Sequence, residues 1–538
     1  MRQNLPDCTG FFKSQLNLVN PVSVVLTKST SRGRSTFGPT IVLCLAGAKL
    51  LFHLLTAGRY GIFRDELYYL ACGEHLDWGY VDQPPLIAVV AWTARHLFDD
   101  SLLGLRLFPA VAGAATVWLT GKLAREMGGN IFAQVLAALA VIAVPIFLVM
   151  HHWLTMNAFE PLIWLGCVWC TVRAINRDNP RYWIWFGLMA GLGMENKYTT
   201  AFFVFGIVVG LILTRDRRFL ASRCFWIGAA IALSIFLPNF IWLVRHHFPF
   251  LELMHNIRRG HRDVVHGPIG FVLDQAQIMN PILLPLWLGG LAWLFVDRHG
   301  RRFRILGVAY VVMLATFIAL RGKNYYLASV YPMLFAPGAV AFEKVTTGRW
   351  WKWSRIAYVV LILGSIIAIA PTVSPILSPE EAIAYQKRLG MEPPKAENQP
   401  TGPLPQYFAD EFGWEEIARE TARIYNSLSP DERARTAIFA NSYGQAGAID
   451  FFGPRLGLPK AICNHQSYWL WGPRDYNGST VIVLGSDGTG DREHFASVEV
   501  AGHTEHPYSR RDEHFDIFLC RGFRGDLQKA WSEMKKFN

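Results

Sequence analysis

The chain has 538 residues, of which 52% are hydrophobic and only 17% charged, whereas soluble proteins carry about a quarter charged residues. That balance excludes an ordinary soluble globular protein and predicts an integral membrane one. The formal net charge of +11 is interleaved with nineteen Trp and thirty-six Phe in apolar runs, a pattern of bilayer segments and interfacial belts that predicts no nucleic-acid partner.

Residues 1–38 are polar and irregular and are expected to form a cytoplasmic tail. The apolar stretch behind them is longer than a signal-peptide core and lacks a small-residue cleavage site, so it reads as a retained first span. A span needs roughly 20 apolar residues. By that measure about eleven windows qualify: 39–57, 102–121, 130–149, 156–172, 182–194, 198–214, 224–244, 279–296, 303–320, 326–343 and 356–371, the fifth being short enough to be tilted or broken. Alternate loops are rich in Lys and Arg, for example Arg215, Arg217, Arg218 and Arg223, or Arg298, Arg301, Arg302 and Arg304. The positive-inside rule makes these cytoplasmic. The first loop 59–100, MHHWLTMN at 150–157, MENK at 194–197, the loop 245–278 and RGKNYY at 321–326 are then extracytoplasmic, as is everything after the last span.

Loop 59–100 carries Asp65, Glu66, Glu74, Asp77, Asp82, Asp99 and Asp100 against Arg59, Arg64 and Arg95. Such charges could simply solvate an external loop. The Pro-Pro-Leu turn and the aromatic residues around the acids instead predict a segment folded onto the membrane surface, an ordering cost more often tied to function.

The transmembrane domain is expected over 39–372, a Pro-rich polar linker over 373–405, and a soluble α/β domain over 406–538. In that last domain, 412–428 suits an amphipathic helix, RTAIFAN, TVIVLG and HFDIFLCRG suit strands, and GDLQKAWSEMKKF suits a closing helix. GSDGTGD at 485–491 lacks both GxGxxG order and a following GK[ST], so it reads as a polar turn. Among the eight cysteines the single CxxC spacing, Cys167 and Cys170, lies inside an apolar run, and no Cys/His ligand spacing accompanies it, which argues against structural zinc. Cys463 and Cys520 are candidates for a disulfide in an oxidising compartment, their separation being undetermined by sequence.

Three motifs carry a resemblance: RDELYY with GYVDQPPL in the first loop, NKYTT at 196–200, and GKNYYLASVYP from Gly322 to Pro332. Together they resemble the polyprenyl-phosphate-sugar-dependent membrane glycosyltransferases of the GT-C fold (glycosyltransferase family 39), which include protein O-mannosyltransferases and the lipid A aminoarabinose transferase. The resemblance covers most of residues 40–345. It implies a polytopic α-helical enzyme of the bacterial inner membrane, with its active site and C-terminal domain outside the cytoplasm. Such an enzyme transfers a sugar, with inversion, from a polyprenyl-phosphate donor to a lipid, glycan or protein acceptor. The reaction needs a base for the acceptor and cations for the departing phosphate.

The resemblance assigns the catalytic carboxylates to the pair Asp65 and Glu66, with Asp65 as base and Glu66 orienting or structuring the loop. Lys197, Arg321 and Lys323 are expected to stabilise the phosphate, although Arg321 is equally explained as a snorkelling residue. Lys197 interrupts an apolar stretch, where ionisable groups are costly unless functional. Arg258 and Arg259, with Arg262, could hold the donor's anionic head or form a solvated turn. Tyr325 and Tyr326 are candidates for the polyprenyl route, and Arg64, Asp82, Gln83 and Pro84 for support of the first loop. His151, His152 and Glu160 outline a metal or acceptor site. The two histidines are adjacent and cannot share a helical face, so a divalent cofactor stays open and none is firmly implied. The chain departs from its relatives at Gln83, where aminoarabinose transferases carry Lys, and at Asn157 with Glu160-Pro161, where many have Asp-x-Pro; both argue against lipid A as acceptor. The rival class is a transporter or flippase of lipid-linked sugars, but no repeated halves are visible.

Overall fold

A computed structural model describes residues 37–260, 262–265, 267–391, 397–398, 400 and 402–538; the expected tail lies outside them but for its last two residues. Each of the eleven apolar windows contains helix. Among the described residues, six helices are long and apolar enough to cross a membrane, and nine spans result if each of three sharply bent pairs counts as one. The interruptions have local causes. The window 130–149 breaks between Ile131–Ile142 and Pro145–Met150, because Pro145 has no N–H to continue the ladder. Pro268–Ile278 turns through 96° into Pro281–Val296 at another proline. The short fifth window is the helix Tyr182–Asn196, which packs on Arg223–Arg245 so closely that a Cβ on Gly187 would lie 2.0 Å from the Gly228 carbonyl oxygen. Small residues allow this approach where burial of apolar surface from water cannot drive it. Outward faces expose Leu51, Trp226, Leu233, Ile356 and Ile367, as contact with lipid requires.

The first loop is folded. It forms the helices Arg64–Glu74 and Leu86–Phe98, joined through a turn in which Tyr80 N–H donates to the Gln83 carbonyl (3.0 Å) and the Tyr80 hydroxyl donates to the carbonyls of Cys72 and His75. The helix Arg64–Glu74 is buried from Glu66 to Gly73. One of its faces meets the C-terminal domain.

That domain contains a five-stranded sheet: β1 (Thr436–Ala440), β2 (Ile462–Cys463), β3 (Thr480–Leu484), β4 (Phe495–Thr504) and β5 (Phe515–Phe523), in the order β2-β1-β3-β5-β4. β1 pairs parallel with β2 and β3, while β5 runs antiparallel to β3 and β4. β1 and β3 are buried at every position, which is why both read as unbroken apolar runs. The half-exposed edge strand β4 and the two-residue β2 lack that signal. The closing helix is reduced to Leu527–Ala530 and a 3-10 turn, Trp531–Met534. Cys463 and Cys520 are both free and buried. They lie on strands separated by β1 and β3, three strand spacings or roughly 14 Å, so the disulfide considered from sequence does not form.

Leu67, Leu70, Ile87 and Ala91 of the first loop share one apolar core with Trp414, Ile417, Ile438, Ile449 and Ile482 of the C-terminal domain. Gly447 makes the contact possible, since a Cβ there would come within 2.8 Å of the Leu67 Cβ. Burial of this shared core docks the domain onto the loop that carries the candidate carboxylates.

Candidate functional site

Asp65 and Glu66 begin the same helix and face opposite environments. Glu66 is fully buried. Its carboxylate accepts from the backbone N–H of Phe63 and Leu154, both at 2.9 Å, and from Arg106 Nε (3.1 Å) and Nη2 (2.9 Å). Arg106 is itself buried and also donates to the carbonyls of Ala57 and Gly61 and to Glu411 Oε2 (3.1 Å). His152 Nε2 lies 3.2 Å from its Nη1. Burial raises the Glu411 carboxyl to about 7 against the pull of Arg106. This cluster ties the first loop to the membrane helices and to the C-terminal domain. Glu66 is thus enclosed by the first loop, the membrane helices and the C-terminal domain. Arg106 was missed, though an arginine inside the apolar window LLGLRLFPAV was a legible signal.

The Asp65 side chain is 30% exposed. Its Oδ1 accepts from the Tyr443 hydroxyl at 2.8 Å and lies 3.6 Å from Arg64 Nε, and among the described residues no hydrogen-bond donor reaches Oδ2. Tyr443 opens the C-terminal helix Tyr443–Phe452, packs on Tyr68 and His465, and lies under the Arg64 guanidinium. Burial pushes its phenol well up, so it remains a donor. Asp82 accepts from the Tyr68 hydroxyl at 2.8 Å, and burial raises its carboxyl to about 6. Gln83 and Pro84 are buried, and Gln83 donates to Cys72 Sγ; they shape the turn.

Cations surround the same region. Arg64 approaches Glu397 (3.7 Å) and Asp410 (3.8 Å). Arg262 holds Glu397 at 2.6 Å, Arg510 reaches Glu397 (3.5 Å) and Asp410 (3.4 Å), and Lys323 pairs with Asp263 at 3.0 Å. Of the basic cluster expected in the loop 245–278, only Arg262 turns inward; Arg258 and Arg259 are exposed at the end of Pro249–Arg259. Arg321 is also exposed, and among the described residues no ion pair joins it to the cluster. No local pattern marks Glu397, Asp410, Tyr443 or Arg510.

Lys197 donates to Asn157 Oδ1 (2.7 Å), lies 3.6 Å from Glu160, and sits over the rings of Tyr326 (4.4 Å) and Tyr325 (5.8 Å). Glu160 also accepts from the hydroxyls of Thr199 and Ser329. Residues from MHHWLTMN, MENK and RGKNYY therefore meet. The outlined metal site does not assemble: His151 Nδ1 faces the Phe147 carbonyl, His152 faces Arg106 and Glu160 faces Lys197. Among the described residues no three His, Cys, Asp or Glu side chains converge on a cation position.

This helical body of apolar spans, with a small sheet domain closing over a carboxylate and several cations, has the GT-C fold of membrane glycosyltransferases. Residues 82–242 match the family described as dolichyl-phosphate-mannose-protein mannosyltransferase. The chain is 24% identical over 347 residues, 61% of its own length and 70% of the relative's, to the lipid A galacturonosyltransferase RgtD of Rhizobium johnstonii. It superposes on the crystal structure of ArnT from Cupriavidus metallidurans bound to undecaprenyl phosphate with a TM-score of 0.58 at 14% identity, covering 90% of this chain and 98% of that one. The oligosaccharyltransferase of Archaeoglobus fulgidus aligns over 80% of this chain and 65% of its own, with a TM-score of 0.50 and 14% identity.

Proposed function

We propose that the chain transfers a sugar, with inversion, from a polyprenyl-phosphate donor to an extracytoplasmic acceptor carrying a nucleophilic hydroxyl, on a lipid, glycan or protein. Asp65 accepts the acceptor's proton as its oxygen attacks the anomeric carbon. The bond from that carbon to the phosphate oxygen breaks, and the polyprenyl phosphate leaves with the electron pair. The observation that carries this reading is the half-exposed Asp65 carboxylate, held by Tyr443 and set beside Arg64 within a cluster that includes Arg262, Lys323 and Arg510. Such cations stabilise charge that grows on the phosphate in the transition state. Tyr325 and Tyr326, lying against Lys197, link this cluster to the route of the polyprenyl chain.

The donor class is supported by the ArnT structure, which is bound to undecaprenyl phosphate, and a lipid acceptor by the name of the galacturonosyltransferase relative. We assign the cationic cluster and the domain 406–538 to the extracytoplasmic side, because the loops that meet at Lys197 all alternate with the Lys- and Arg-rich set that the positive-inside rule places in the cytoplasm. The test is incorporation of labelled sugar from a polyprenyl-phosphate-sugar into membrane lipid by the purified full chain, beside movement of intact donor across vesicles. Label in the acceptor supports the proposal. Donor translocation without label in any acceptor would make the protein a flippase.

A further inference from the structure

Glu397 lies at the centre of the cations just described, yet it belongs to the Pro-rich segment before the C-terminal domain rather than to any motif of the site. Its side chain is 7% exposed. Arg262 contacts Oε1 through both Nη2 (2.6 Å) and Nε (3.2 Å), Arg64 approaches Oε1 at 3.7 Å, and Arg510 reaches Oε2 at 3.5 Å. Burial alone would raise its pKa; Arg64, Arg262, Lys323 and Arg510 together hold it well below the usual carboxylate range. Three guanidinium groups from three distant segments around one carboxylate form a cradle that equally suits the oxygens of a phosphate, since both are anions that arginine binds in a forked geometry.

Glu397 lies outside the helices and the five-stranded sheet of the described residues. It makes one isolated bridge with Asp263 and one bond from its N–H to Gln406 Oε1 (3.1 Å), with Asn398 N–H donating to the Arg262 carbonyl (2.8 Å). Leaving the cradle would break the three arginine ion pairs but, among the described residues, no helix and no strand of the sheet. The carboxylate partners also divide unevenly. Arg64 keeps Asp65 and Asp410, and Arg510 keeps Asp410 and Asp512, whereas Arg262 has Glu397 as its one side-chain carboxylate among the described residues, beside a bond to the Asn538 carbonyl oxygen (2.7 Å). An incoming phosphate would replace a negative charge with a negative charge.

We propose that Glu397 is a resident stand-in for the donor's phosphate: it fills the cradle of Arg64, Arg262 and Arg510 in the donor-free chain and competes with the phosphate for it. This rests on the polyprenyl-phosphate reading of the site. It gives Glu397 a part in donor entry.

The test uses farnesyl phosphate binding to the purified full chain and to Glu397→Gln. Competition predicts that Glu397→Gln binds about tenfold more tightly, because the neutral amide holds the guanidinium groups less strongly. On the wild-type chain, bound farnesyl phosphate should increase cleavage after Glu397 by a Glu-specific protease, a readout that needs no variant to fold. If the wild type binds farnesyl phosphate but Glu397→Gln binds equally or more weakly, or cleavage after Glu397 does not rise, Glu397 is a structural ion-pair partner and the inference fails while the donor reading stands. If neither protein binds farnesyl phosphate, both fail.

Discussion

Asp65 and Glu66 are neighbours of like charge on one helix, and the structure predicts opposite consequences for removing them. Glu66→Gln keeps the size of the side chain but replaces one acceptor oxygen with an N–H₂ group facing N–H donors. It also leaves the Arg106 guanidinium, 1% exposed, with Glu411 as its only carboxylate partner among the described residues. Breaking a buried pair in this way costs roughly 3–5 kcal/mol. Asp65→Asn keeps an oxygen for the Tyr443 hydroxyl on a side chain that is 30% exposed, so it should change stability by less than about 1 kcal/mol. Turnover per folded molecule should fall roughly 10²- to 10⁴-fold, the usual contribution of a general base. The assay is thermal unfolding in detergent, followed by tryptophan fluorescence, beside sugar transfer at saturating donor. The expected pattern is a fall in unfolding temperature for Glu66→Gln alone and loss of chemistry without unfolding for Asp65→Asn. An unaltered melt with abolished turnover in Glu66→Gln would make Glu66 catalytic and refute the division of roles.

Tyr443→Phe removes the hydroxyl that holds Asp65 while keeping the ring against Tyr68 and His465; kcat should drop roughly ten- to a hundredfold, the worth of about 1.5–3 kcal/mol for a hydrogen bond to a charged group, and an unchanged kcat would detach the C-terminal domain from the chemistry. Lys197→Met should lower both the unfolding temperature and turnover, because Glu160, 1% exposed, loses its ammonium partner. Adding Glu160→Gln should restore the melt but not turnover; recovery of turnover in the double variant would give Lys197 a purely structural role. Asp82 offers a pH signature. Its folded pKa of about 6, raised from 3.8 mainly by burial with Tyr68, Asp65 and Arg262 beside it, means the folded chain holds a proton that the unfolded chain releases, so this group's contribution to stability falls as pH rises from about 4 to about 6. Asp82→Asn should therefore gain unfolding temperature relative to the wild type across that interval and level off above it, and a difference independent of pH would contradict a partly buried, proton-holding carboxylate.

Membrane character, the helical windows and the buried strands β1 and β3 were determined by the sequence alone, because burial of long apolar runs is a local property with a recognisable period. Motif resemblance located Asp65, and the cost of an ion in an apolar stretch singled out Lys197. Proline and edge exposure decided what was lost locally: the break at Pro145, and the unremarkable strand β4. The candidate site is another matter. Tyr443 meets Asp65 across 378 residues, Glu411 meets Arg106 across 305 and Arg510 meets Glu397 across 113, and no periodicity in one segment encodes a partner in another. The division between Asp65 and Glu66 was expected from the motif, but its physical cause is tertiary. Successive residues on a helix point about 100° apart, so one carboxylate turns into the Arg106 cluster and the other toward Tyr443, and only the packing of the first loop between the membrane helices and the C-terminal domain decides which is which.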